Sequence, residues 1–138
     1  MVTLKKISNV EQFYQYVQNA GSLRSWQHAR RWSDGVLKTL GLHLDRSTKK
    51  ALAQALPPEL AASLTRVFWL AHFRDHHLSA YWFQKQAANR SGVTDAQFAR
   101  TPILAIFRGV KELSNDDNLN RRVADTLSPE VRSLWEEA

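Results

Sequence analysis

His72-Phe73-Arg74-Asp75-His76-His77 is the densest set of metal-type donors in the chain. On a continuous helix His72 and His76 would stand one turn apart on the same face, as helical zinc ligands do, with Asp75 a third donor. No glutamate follows His72, so the spacing departs from the metalloprotease pattern. The segment also falls where a helix should close, and polar or cationic His is favourable at a helix C-terminus. Capping is the plainer account, and no metal is expected. His28 and His43 stand alone and read as surface or capping residues.

A second group is basic. Arg24, Arg31 and Lys38 recur every seven residues, which on a helix puts them on one side. Arg30 extends the group, and Arg46, Lys49 and Lys50 on the next helix can join it. Trp32, on the flank beside Arg31, is a candidate exposed anchor for a partner, with core packing as its plainer role. Such a surface suits an acidic protein, or the phosphates of a nucleic acid bound without sequence preference and with strong salt dependence. A solvated helix face needs the same residue types. No helix-turn-helix or RNA-binding signature accompanies the patch.

Charge is unevenly distributed. Residues 1–70 hold ten Lys and Arg against Glu11, Asp34, Asp45 and Glu59, whereas residues 71–138 hold nine of each sign. The whole net charge of +6 therefore belongs to the first half. The acids fall mostly at expected helix starts (Asp45, Asp95, Asp116, Glu130) or at Glu136-Glu137. Those are capping and dipole positions rather than a converging acid–base pair. No Gly-rich phosphate loop, nucleophile elbow or Ser/His/Asp ordering is visible. The absence of Cys removes disulfides, thiolate metal sites and thiol nucleophiles. The expectation is a protein without enzymatic activity or cofactor. The longest apolar run, Val67–Ala71, is far short of the ~20 residues that span a bilayer. The opening residues Met1–Lys6 lack the apolar stretch of a signal peptide, so a cytoplasmic, non-membrane protein is expected.

The elements that must carry these residues are helical nearly throughout. Ser8 and Glu11 outline a capping box ahead of Phe13, Tyr16, Val17 and Ala20, with Gly21 as the stop. A second helix from Ser22 or Ser25 buries Trp26, Ala29, Ser33, Val36, Leu37, Leu40 and Leu44, with one of Gly35 and Gly41 marking close packing and the other the end. Asp45 caps a short third helix, broken by Pro57-Pro58. The fourth should run from Pro58 to about Phe73 as the most buried element, carrying Trp69. Ser79 caps the fifth, Thr94 to Gln97 box the sixth, and Pro102 should kink or interrupt it. Ser114 or Asn115 opens the seventh, and Ser128-Pro129 the eighth. Trp82 and Trp135 fall on expected core faces.

The second four helices echo the first four. At an offset of 70, Phe13 meets Phe83, Asn19 meets Asn89, and Gln27, Ala29 and Arg30 meet Gln97, Ala99 and Arg100. After a one-residue insertion Leu56 meets Leu127, and Pro58-Glu59-Leu60 meets Pro129-Glu130-Val131. Four short helices are marginal as a separate fold because they bury too small a share of their surface, and two sets can bury apolar faces in each other. The expectation is an all-α single domain over residues 1–138, about eight helices in two pseudo-repeated four-helix halves, 9–65 and 79–136, sharing one core. Ala80, Tyr81 and Trp82 would line the seam.

This arrangement resembles the prokaryotic family called domain of unknown function 2267. The resemblance rests on two copies of one pattern. An opening helix carries Phe, as in Glu11-Gln12-Phe13 and Tyr81-Trp82-Phe83. An Ala-containing helix then runs into leucines, as from Ala29 to Leu40, and a Leu-Pro-type tag closes the copy, as in Ala53 to Leu60. It covers residues 9–135, while the basic charge and the aromatic stretch Val67–Phe83 depart from the usual pattern. The resemblance implies a compact all-helical fold and supplies no catalytic residues.

Overall fold

The computed structural model describes residues 7–66, 77–93 and 95–138. These form eight α-helices and no strand: α1 Val10–Ala20, α2 Trp26–Leu42, α3 Arg46–Gln54, α4 Pro58–Thr65, α5 Ala80–Arg90, α6 Ala96–Ser114, α7 Asp117–Thr126 and α8 Pro129–Glu137. The chain is all-α, as its periodicity dictates.

Most helix starts are set by one polar side chain each. Ser25 accepts from the His28 amide, Asp45 from Thr48, Ser79 from Trp82, and Asp116 from Leu119. Each satisfies an amide that the first helical turn leaves unpaired. The cap of α1 is Asn9 rather than Ser8, and Gln12 reaches back to accept from the Ser8 amide and hydroxyl, both at 2.9 Å. Asp95 caps α6, while Thr94 lies outside the described residues. Asn115 in the left-handed region (φ 48°) ends α6 before α7 begins.

Helices α2 and α6 occupy the middle. Helix α2 packs on α1, α4 and α5, and α6 packs on α1, α5 and α8. Helices α3 and α7 meet at one side, and one hydrophobic cluster draws on all eight helices. Its largest members are Trp32, Trp135, Phe13, Phe83 and Phe107, and rings of Phe83, Phe107 and Trp135 touch in sequence.

Several expectations are corrected by this packing. Neither Gly35 nor Gly41 ends α2; both are close-approach points inside it. A methyl at Gly35 would sit 2.5 Å from Ser91 Oγ, and one at Gly41 2.1 Å from the Leu64 carbonyl oxygen. Helix α6 continues through Pro102 without interruption, and Pro102 is buried where the α1 C-terminus crosses it at Gly21. Helix α4 closes at Thr65, not near Phe73. It buries Leu60, Ser63 and Leu64 on one side, less completely than α2 or α6. Residues 67–76, with Trp69, lie outside the described residues.

The tryptophans sort differently from their expected faces. Trp135 is buried as expected. Trp26 has the right phase for the core but is the first residue of α2. It projects past the core and is 41% exposed. Trp82 is 53% exposed because α5 buries Phe83, Gln84, Ala87 and Ala88, which leaves the position before Phe83 outward. Tyr81, expected at the seam, is likewise outward at 52%.

Candidate functional site

The basic residues singled out from the sequence do not form one continuous stripe. Arg24 precedes the Ser25 cap, so it is outside α2 and its heptad phase does not apply. Arg31, Arg46 and Lys50 are exposed. Lys38 is held by Asp34 one turn back, its ammonium 2.8 Å from Asp34 Oδ2. Lys49 is not part of an open patch: it is only 9% exposed, on the packed face of α3, where burial and then the nearby Arg46 charge lower its pKa. Trp32 is not an exposed anchor. It is fully buried, because α6 covers its flank of α2 and brings Phe98 to 5.9 Å between ring centroids.

Arg30 is exposed yet committed to three neighbours. Its guanidinium lies 5.2 Å from the Trp26 ring centroid and 6.0 Å from that of Tyr14, and its Nη2 donates to Glu59 Oε1 at 3.3 Å. The Tyr14 hydroxyl donates to the other oxygen of the same carboxylate. Sequence reasoning placed neither Tyr14 nor Glu59 at a site, since their contact spans 45 residues and joins α1 to α4. Nearby, Ser63 Oγ donates to Asp34 Oδ1 at 2.6 Å, tying α4 to α2.

These contacts wall a cleft of about 500 Å³ between α1, α2 and α4, lined by Tyr14, Gln27, Arg30, Arg31, Asp34, Glu59, Ala62, Ser63 and Arg66. Both carboxylates have protein partners: Glu59 has Tyr14 and Arg30, and Asp34 has Ser63 and Lys38. Arg31 and Arg66 have no hydrogen bond or ion pair among the described residues, and both are exposed. Arg66 is the C-cap of α4, where a cation complements the helix dipole. It lies outside the predicted basic group, and its sequence context carries no signal that it reaches α2.

Two ionisable groups of the cleft are displaced from their usual values. Burial first, and then the hydrogen bond to Glu59, push the Tyr14 phenol far above its usual range. Burial by itself would raise Asp34, but the hydrogen bonds from Lys38 and Ser63 and the charges of Lys38 and Arg66 outweigh it and hold the carboxyl below its usual value. Neither group is brought toward neutrality, where a general acid or base works best.

The metal-type donors His72, Asp75 and His76 lie outside the described residues; His77 is described and exposed. Among the described residues no three His, Asp or Glu side chains gather as metal ligands. His43 closes α2, with a ring nitrogen 3.1 Å from Gln86 Oε1. No described helix is long and apolar enough to cross a membrane.

No curated protein and no solved structure matches the chain. A family model described as uncharacterized conserved protein matches residues 10–134, the span that contains all eight helix cores and every wall of the cleft. On that match, the chain belongs to the domain of unknown function 2267 family (DUF2267).

Proposed function

We propose that the protein is a non-enzymatic, cytoplasmic binding domain that engages an acidic partner through its first-half basic surface. The observation that carries this reading is the state of the cleft between α1, α2 and α4. Its two carboxylates are engaged by hydrogen bonds, while Arg31 and Arg66 are exposed and carry no hydrogen bond or ion pair among the described residues. Exposed Arg24, Arg46 and Lys50 add positive charge on the same half of the chain, and the excess over acids in residues 1–70 makes long-range attraction of an acidic surface favourable. Such attraction chiefly accelerates encounter, so it should weaken with salt.

The test is a cross-linked capture from the native cell with the wild-type chain and with the Arg31→Glu, Lys50→Glu double variant. An acidic protein recovered by the first and lost by the second is the expected result. Recovery undiminished by the reversals would remove the basic surface from the account. A gel shift with nucleic acid that fades steeply with salt would turn the same surface to the alternative ligand.

A further inference from the structure

We infer that the cleft between α1, α2 and α4 is a binding site for a phosphoryl group, clasped by Arg31 from α2 and Arg66 from the end of α4. The inference deepens the proposed binding role and rests on it for the partner, but not for the chemistry of the cleft. Three guanidiniums line the cleft, and the Lys38 ammonium stands behind Asp34. Against these four cations there are two carboxylates, Asp34 and Glu59, so two positive charges are left uncompensated. A phosphomonoester carries about −1.5 to −2 at neutral pH and neutralises that excess, whereas a single carboxylate covers half of it.

Geometry agrees with charge. The planar fork of a guanidinium matches two phosphoryl oxygens at once, and Arg31 and Arg66 are the two lining arginines with no hydrogen bond or ion pair to a protein acid. Arg66 acts on Asp34 by charge only, and the exposed Arg31 side chain has its Nη1 beside Gly92, at the end of α5. Arg30 is left out of the clasp because its charge is already shared with Glu59. Stacked at Trp26 and bonded to Glu59, it contributes charge at the wall while already paired with a protein acid. Gln27, one turn ahead of Arg31 and also on the wall, brings an amide donor to the same space. The Ser63–Asp34–Lys38 and Tyr14–Glu59–Arg30 links brace the cleft across three helices, so the site is built before a ligand arrives.

A phosphorylated side chain of a partner and a free phosphomonoester share this chemistry. The experiment is a titration followed by amide and arginine side-chain nuclear magnetic resonance at constant ionic strength. Its probes are inorganic phosphate, O-phosphoserine, a phosphoserine peptide flanked by acidic residues, and glutamate. Saturable shifts at Arg31, Arg66 and Gln27 with the phosphate probes, at least tenfold weaker with glutamate, are expected. Arg31→Gln and Arg66→Gln should each weaken phosphate binding about tenfold with unchanged thermal unfolding, while Arg46→Gln with Lys50→Gln should leave it intact. A further tenfold gain for the peptide over O-phosphoserine identifies a partner's side chain as the source, and equal affinity identifies a small phosphomonoester. Shifts that never saturate, or binding that survives both arginine variants, would overturn the site. Phosphate binding that persists when no acidic protein is captured keeps the site and removes the partner; captured protein without phosphate binding does the reverse.

Discussion

At the scale of single residues, α2 shows how far a neighbour can change what a side chain does. Gly41 looks like a helix stop, yet it lies inside α2 because α4 passes over it at the Leu64 carbonyl. Replacing it with Ala gains about 1 kcal/mol of helix propensity but forces a methyl into backbone that cannot rotate aside. We expect Gly41→Ala to destabilise by about 1–3 kcal/mol net, read as a lower urea midpoint. Asp34 makes a different prediction. Its folded pKa is depressed, so its contribution to stability is present above the unfolded value of about 3.9 and is lost as pH falls through the folded one. Urea midpoints of the wild type should therefore drop on acidification below about pH 4, and Asp34→Asn should show a shallower drop. An identical pH profile in the variant would mean that the links to Lys38 and Ser63 contribute nothing.

At the scale of elements, local signals decide where helices begin, and packing decides which of them run on through a glycine or a proline. Ser25 makes one hydrogen bond to the His28 amide and starts the helix that holds Arg30, Arg31 and Asp34. Ser25→Ala is expected to cost about 1 kcal/mol, and Ser25→Gly only a few tenths, both measured by denaturant unfolding. Equal costs for the two would point to the hydroxyl having no capping role. Pro102 illustrates the other half of the rule. A proline in a helix interior costs about 3 kcal/mol in isolation, yet α6 runs through it. Burial against α1 at Gly21 supplies contacts that an isolated helix lacks. Core packing is the plainer sequence reading of Trp32, and the structure agrees with it rather than with an exposed anchor, because Phe98 from α6 covers that flank of α2.

At the scale of the whole molecule, the two ends of the chain depend on each other. Helix α1 lies on α6, α5 lies on α2, and α3 meets α7, so each set of four helices spends much of its apolar surface on the other. A piece of about 65 residues is marginal by itself, and this one would also expose the apolar faces that the other four helices cover. The fragment 1–66 is expected to lack a cooperative unfolding transition, and mixing it with 67–138 should restore one. A fragment that melts cooperatively alone would show that the first four helices own a sufficient core.

The amino-acid sequence by itself determined that this chain is helical, where most helices start, and which half carries the positive charge. Those properties follow from periodicity, from caps that act within three residues, and from simple charge. Tertiary structure alone decided that Trp26 is outside, that Lys38 and Lys49 are withdrawn from the basic surface, and that Arg66 joins Arg31 at one cleft. A side chain's availability depends on which neighbour reaches it, and the neighbours of α2 come from α1, α4, α5 and α6, up to some seventy residues away along the chain.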